Sequence, residues 1–350
     1  MDLLKRPLDD YVAARFGPDV RVRSAQAFTR GSSRVTWFVD LLEPSGAVRP
    51  LIFRADPPGG STIPTSLEQE YFVYDRLART AVPVPKPLWW EADADWATRP
   101  FYLREQVDGH WDIPNFSDPD PGYDELRIAI SKEHMRKLAL VHAVDWRAIG
   151  LDERISVPSG VEACATHFID ARVAELSDCR DSMPPIVVEA AAWLKARAPV
   201  APGLHLCKGT NGLGEEVFRD GVIVAMSDWE EVSIGDPAAD FAYVQNFLPE
   251  IERDGRKIWG LDAALEYYRS VGGADVSADS VRFYQLVRGF STILMGHAAA
   301  SIIHRGTGTI RQAWTGTEVA HLGKRILAAM MGLTPPIDPK WFAENNESIR

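Results

Sequence analysis

The 350-residue sequence predicts an α+β fold in two parts: a small antiparallel β-sheet, then a larger and mostly α-helical region. Three observations predict it. Short β-branched and apolar runs crowd the stretch before residue 60 and are joined by turns bearing Gly, Ser and Pro. From residue 124 onward, apolar residues recur mostly at helical spacing. Set among those helices is one β-hairpin stretch, LCKGTNGLGEEVFRDGVIVAMSDWEEVSIGDPAADFAY (Leu206–Tyr243), dense in Gly and acidic residues.

Composition narrows the class. A hydrophobic fraction of 46% is ordinary for a globular chain and fills a sizeable core. The length suits one large domain or two modest ones. The apolar runs fall far short of the ~18 residues a bilayer span needs. The amphipathic start, MDLLKRPLDDYVAARF, does not read as a signal peptide, so no membrane partner is expected. Cys164, Cys179 and Cys207 are odd in number and widely spaced, which fits neither a disulfide framework nor a zinc motif. A reducing cytoplasm is the simplest compartment. The net charge of −11 argues against nucleic acid, whose backbone asks for a basic face. It suits a cationic small molecule as well as a plain acidic surface.

In chain order, residues 3 to 16 carry Leu3, Leu4, Leu8, Tyr11, Val12 and Phe16 near helical spacing. Strands follow at Val20–Phe28, Val35–Leu42 and Val48–Ala55, the first two joined by TRGSSR and the second pair by EPSG. A helix begins near Ser66 with SLEQEYFVYDRLART. Pro-rich VPVPKPLWW is extended and leads into a strand. After the loop EADADWATRP a further strand, FYLREQV, runs toward Gly109. Helices are expected at Asp124–Val144, in SVPSGVEACATHFIDARVAEL, and after Pro184–Pro185. Others follow from residue 237 to 247 and near Leu261–Val271, Ser277–His304 and Arg311–Met331. His142 reads as a packed core histidine. Trp314, His304 and Arg305 are candidates for a substrate-facing side, although core or surface roles fit each better.

The Leu206–Tyr243 stretch carries the chemistry. Val217–Phe218 and Val222–Met226 read as strands joined by the Asp220–Gly221 turn. Asp228 directly follows the second strand, where a rigid element ends at an open cleft, a good place to hold a metal ion. Glu215 lies thirteen residues earlier, at the other end of the hairpin, so both acids can point into one site. Glu216 is expected on the opposite face of its strand.

This stretch resembles the aminoglycoside phosphotransferase and choline kinase family, relatives of the protein kinases, whose pattern is roughly HGDxxxxN, a hairpin, then DWE and GDPxxDxA. SDWEEVSIGDPAADFA matches the second half, with Asp236 and Asp240 in the tail. The first half departs: Lys208 takes the place of the His, Thr210 that of the catalytic Asp, and Glu215 that of the metal-binding Asn. The resemblance covers roughly residues 20 to 300. It implies a two-lobed protein-kinase-like fold, with an N-lobe over 1–109 and a helical C-lobe over 110–350 that holds the catalytic-loop hairpin 206–230. It also implies that Gly31, Ser32 and Ser33 face nucleotide phosphates, and that Arg54 replaces the phosphate-holding Lys and pairs with Glu70. Glu68 points about 160° away on the same helix. Backbone groups near Glu105 and Val107 would meet the base, and Glu215 and Asp228 would hold Mg²⁺. The implied activity is phosphoryl transfer from ATP or GTP to a hydroxyl of a small molecule. Thr210 cannot take a proton as a carboxylate does. A second reading is therefore kept: a catalytically inactive, kinase-like protein that binds a nucleotide or metabolite. A different reaction in the same cleft, such as acyl or nucleotidyl transfer, is a weaker third.

Overall fold

Pro7 caps the first helix, α1 (Leu8–Phe16), so the helix starts five residues later than apolar spacing alone predicts. The computed structural model describes residues 2–28, 33–61, 65–174, 185–212, 214–242 and 247–335. Gly31 and Ser32 lie outside the described residues, as does Cys179.

Three strands follow α1: β1 (Arg21–Phe28), β2 (Val35–Leu42) and β3 (Val48–Ala55). Helix α2 (Leu67–Leu77) is capped by the Ser66 hydroxyl, which accepts from Gln69 N–H. Then come β4 (Pro87–Glu91) and β5 (Phe101–Glu105). The five strands form one antiparallel sheet in the order β1-β2-β3-β5-β4. Strand alternation gives its two faces different tasks. Leu51, Phe53, Phe101 and Leu103 join Tyr11 and Val12 of α1 in one core. Arg54 and Tyr102, paired in register, take the other face toward α2, and Tyr102 belongs to the core that continues into the second part.

The chain leaves the sheet at Glu105, whose N–H is bonded to Lys86 O at 2.9 Å. At Gly109 it pairs with the later hairpin: His110 and Phe218 exchange both backbone hydrogen bonds, at 2.7 and 2.6 Å. A Cβ on Gly109 would fall 2.6 Å from Phe218 O, so the crossing needs glycine there.

Helices α3 (Asp124–His142), α4 (Cys164–Ala174) and α5 (Pro185–Lys195) come next, then β6 (His205–Cys207), β7 (Glu216–Arg219), β8 (Val222–Met226) and β9 (Ser233–Gly235). β7 and β8 form the hairpin, and β6 pairs with β9. The chain continues through α6 (Ala238–Phe241), β10 (Ile251–Arg253), β11 (Arg256–Trp259), α7 (Leu261–Ser270), α8 (Ala278–His304), α9 (Ile310–Trp314) and α10 (Ala320–Met330). The pairs β6–β9 and β10–β11 have no counterpart in the sequence reading. Their three- and four-residue strands are too short to show a period. The helix expected over 311–331 is interrupted by a π-helical turn at Thr315–Val319. By length and composition α8 could cross a bilayer. Here Val281, Val287, Phe290, Ile293 and Leu294 on it are buried in the core.

Candidate active site

The cleft between the sheet and the hairpin gathers charges from four elements. Arg54 on β3 places Nε 3.3 Å from Glu70 Oε1 and its NH2 group 2.5 Å from Asp228 Oδ1. Glu70 is fully buried on α2 and also accepts from the Tyr102 hydroxyl at 2.9 Å. Glu68, by contrast, points outward to an exposed pair with Arg154. Arg34, at the start of β2, joins the cluster: its Nε is 3.4 Å from Glu70 and 3.6 Å from Glu230, and its other nitrogens meet Asp56 and Thr65. Ser33 is placed here as well, but through its side chain, which donates to Glu230 Oε1 at 2.9 Å.

Asp228 sits in the left-handed region, φ 65°, which Asp tolerates better than most residues. Its N–H donates to the Tyr74 hydroxyl of α2 at 3.0 Å, so one helix orients both Glu70 and Asp228. Burial alone would raise the Asp228 pKa. The charges of Arg54 and Lys208 outweigh it and hold the carboxyl below its ordinary range. Glu230 goes the other way, pushed well up by burial and by the neighbouring Asp228.

The loop after β6 forms the other side. Lys208 is fully buried; Nζ donates to the Thr210 carbonyl and lies 3.2 Å from Glu216 Oε1 and 4.0 Å from Glu215 Oε2. Glu216 therefore does not turn away from the site. Glu215 belongs to the turn and only Glu216 opens β7, so strand alternation does not separate them. Burial pushes Glu215 up to about 8 and Glu216 up to about 7, with Lys208 opposing. Lys208 stays protonated because the two glutamates outweigh the effect of its own burial.

Asp240 holds the loop from below, accepting from Lys208 N–H at 2.8 Å and Gly209 N–H at 2.7 Å. His142 Nε2 is 2.9 Å from the same carboxylate and donates to it. Its Nδ1 accordingly accepts from the Tyr268 hydroxyl at 2.5 Å. His142, Cys207 and Asp240 are near enough to share a metal ion, but Asp240 and His142 already spend their atoms on these bonds. Gly209 has φ 86°, and a Cβ there would fall 2.4 Å from Glu231 O, so the loop closes only with glycine. The Thr210 hydroxyl lies 3.5 Å from Glu231 Oε2.

Glu105 and Val107 are at the strand-to-hairpin crossing, half-buried. His304, Arg305 and Trp314 are exposed on the surface. Sequence reasoning missed Arg34, Tyr74, Tyr102 and Glu231; it places Glu230 in the DWE motif beside Asp228, without its partners. The adjacency of Glu230 and Glu231 to Asp228 was the only signal, since their partners lie far along the chain. A divalent cation is a chemical fit at Asp228 and Glu215. The donors are all hard oxygens, and Glu215 Oε2 is buried without a hydrogen-bond partner among the described residues.

Comparison with known proteins matches the chain to a family and a fold. A family model described as "Phosphotransferase enzyme family" (APH) matches residues 24–272. Acyl-CoA dehydrogenase family member 10 of Mus musculus is 28% identical over 262 residues, 69% of this chain and 23% of that protein. Family member 11 of Rattus norvegicus is 28% identical over 250 residues, 68% of this chain and 31% of that protein. The chain thus spans about a quarter to a third of the length of these curated relatives. Among solved structures, one from Ralstonia eutropha assigned as an aminoglycoside phosphotransferase superposes with a TM-score of 0.63 at 22% identity, covering 93% of this chain and 97% of that one. A thermostable mutant of aminoglycoside phosphotransferase APH(4)-Ia, in ternary complex with ADP and hygromycin B, gives 0.57 at 15% identity, with 94% and 99% covered. Macrolide 2′-phosphotransferase of Brachybacterium faecium gives 0.54 at 18%, with 95% and 99% covered. At these identities the structures speak for the fold.

Proposed function

Since the chain belongs to the phosphotransferase enzyme family (APH), we propose that it transfers the terminal phosphoryl group of ATP or GTP to a hydroxyl of a small molecule, with Mg²⁺ held by Asp228 and Glu215. The observation that carries this reading is Arg54 bridging Glu70 and Asp228. Glu70 fixes the guanidinium at the mouth of the cleft, where its fork of donors suits phosphate oxygens. Asp228, released from Arg54 by the incoming phosphates, is left to face a cation. Bound Mg²⁺ supplies neutralisation of charge on the phosphate oxygens.

In the reaction the acceptor oxygen bonds the terminal phosphorus as the bridging P–O bond breaks. The electron pair leaves with the nucleoside diphosphate, and the hydroxyl proton passes to a carboxylate or to solvent. Lys208 keeps positive charge beside Glu215 and Glu216 at this end of the cleft. Thr210 takes no proton, and a general base contributes only about 10²–10⁴-fold, so a slow transfer survives its replacement. Glu215, raised to about 8, is a stronger proton acceptor than Glu216, raised to about 7, whenever it is ionised and free of metal.

A second reading, a nucleotide or metabolite binder without turnover, draws on Thr210 itself. Calorimetry with ATP and GTP, with and without Mg²⁺, tests the shared premise. Mg²⁺-dependent binding should weaken by about 100-fold or more in Asp228→Ala. Absence of nucleotide binding under every condition would overturn both readings. Where binding holds, phosphate transfer to a panel of hydroxyl compounds separates them, and Thr210→Asp should raise the rate by about 10-fold or more.

A further inference from the structure

Arg104 on β5 is a buried guanidinium without a counter-charge. It is 7% exposed, and its Nε is buried with no hydrogen-bond partner. Among the described residues its side chain makes no ion pair and no hydrogen bond. The contact it does make is with the Tyr74 ring, whose centroid lies 5.7 Å from the guanidinium carbon. Tyr74 stays neutral, because burial raises its pKa. A cation–π contact offsets only part of the cost of burying a charge. The other buried cations of the cleft are served better. Arg34, Arg54 and Lys208 each have a carboxylate at 3.4 Å or closer.

The strand register says where Arg104 points. Arg54 pairs with Tyr102 and Ile52 pairs with Arg104, so all four side chains share the face turned toward α2. Arg104 lies two residues further along β5, about 7 Å from Arg54 along the strands and toward the crossing at Gly109. Tyr74 joins the two ends: its hydroxyl accepts from Asp228 N–H, and Arg104 lies over its ring. A nucleotide whose phosphates meet Arg54 and Asp228, laid along this face, sets its base against Ile52 and Arg104. The opposite direction leads to Asp56, ion-paired with Arg34, and so to charge rather than an apolar wall. Ile52 supplies buried apolar surface for a purine ring. Val107 adds backbone at the crossing, since neither its N–H nor its carbonyl is hydrogen-bonded among the described residues. Guanine offers O6 and N7, two acceptors spaced for one guanidinium fork. Adenine offers N7 beside its N6 amino group, a donor that opposes the N–H groups of arginine.

We infer that Arg104 reads the base, and that the phosphoryl donor is a 6-oxopurine nucleotide, GTP rather than ATP. Arg104 donates to O6 and N7, and the base supplies the acceptors that the folded chain lacks there. The term donor rests on the phosphotransferase reading; the base preference needs no transfer.

The test is calorimetry on the whole chain with Mg²⁺ and three probes: GTP, ATP and inosine triphosphate, which keeps O6 and N7 but lacks the 2-amino group. GTP and inosine triphosphate should each bind about tenfold or more tightly than ATP. Arg104→Met should cut both ratios to about twofold or less by removing the fork. Each ratio is taken within one protein, so partial unfolding of a variant shifts all three nucleotides together and leaves it intact. ATP bound as tightly as the two 6-oxopurines, GTP bound tightly but inosine triphosphate weakly, or a preference unchanged in Arg104→Met would each overturn the inference. Failure of all three to bind would overturn it together with the phosphotransferase reading. Phosphate transfer to hydroxyl compounds is measured in parallel. A 6-oxopurine preference without transfer sinks the phosphotransferase reading alone, and transfer without that preference sinks only this one.

Discussion

The two sides of the cleft balance charge in different ways. On the β3–α2 side, Arg34 and Arg54 face Glu70, Asp228 and Glu230, and the pair that matters most, Arg54 with Asp228, is open to solvent at 11% and 21% of its side-chain surface. On the catalytic-loop side, Lys208 and Glu216 are both sealed at 0%. An ion pair at a mouth can be exchanged for a ligand, because water and phosphate can replace either partner. A sealed pair cannot be exchanged, since removing one member strands the other in a medium that solvates its charge badly and forces it toward its neutral form. The same kinds of side chain thus serve binding on one side and support on the other.

That contrast breaks most clearly at Lys208. Lys208→Met should destabilise the protein by about 3–5 kcal/mol, because Glu216 loses its buried cation. Adding Glu216→Gln should restore more than half of the loss. Urea denaturation of the single and double variants measures both. A Lys208→Met protein as stable as the wild type would mean that Lys208 is not a support and that both sides are exchangeable. A step smaller is Asp240→Ala, at about 3 kcal/mol, since it strands the Lys208 and Gly209 N–H groups and the His142 Nε2–H. Its nucleotide affinity, measured below the unfolding transition, should change less than that of Asp228→Ala. A larger change would place the support inside the binding machinery.

Much of this contrast was legible before any coordinates, and the illegible part has a physical cause. β2 and β3 fall where β-branched runs and turn residues place them, and Arg54 meets Glu70 rather than Glu68 because helical spacing separates the two acids. The Asp-Gly hairpin and Asp228 at its end were legible from local chemistry alone. Glu230 was legible as a neighbour of Asp228, but its bonds to Ser33 and Arg34 were not, because these lie about two hundred residues away and nothing local marks them. Arg172 and Arg288 were invisible for the same reason: each looks like any helix-surface arginine until α4 and α8 bring both to Glu231. Glu216 was misplaced because period-two alternation was carried into a turn, where it does not hold.

The GDPxxD tail repeats the contrast between satisfied and poorly satisfied charge within five residues, and it gives the smallest and most specific prediction. Asp240 is held below its ordinary range: burial would raise it, but His142 and two backbone N–H groups win. Asp236 receives one N–H, from Ala238 at 2.9 Å, and its Oδ2 is buried without a hydrogen-bond partner among the described residues. Burial pushes it up to about 6. In the unfolded chain an aspartate releases its proton near pH 4. Between about pH 4 and 6 the folded state therefore holds a proton that the unfolded state has lost. This contribution to stability is full below about pH 4 and is lost as the pH rises through about 6. Asp236→Asn cannot titrate and keeps an oxygen for the Ala238 N–H. Its stability relative to wild type should thus climb by about 2 kcal/mol between pH 4 and pH 7.5, read from urea midpoints at the two values. Asp240→Asn should stay nearly level over this range and show the opposite slope only below about pH 4, because a depressed carboxylate stabilises fully above its unfolded pKa and loses that contribution as the pH falls below it. A flat difference for Asp236→Asn would mean that Asp236 is ionised throughout, and that one buried N–H satisfies a carboxylate here as well as three donors do.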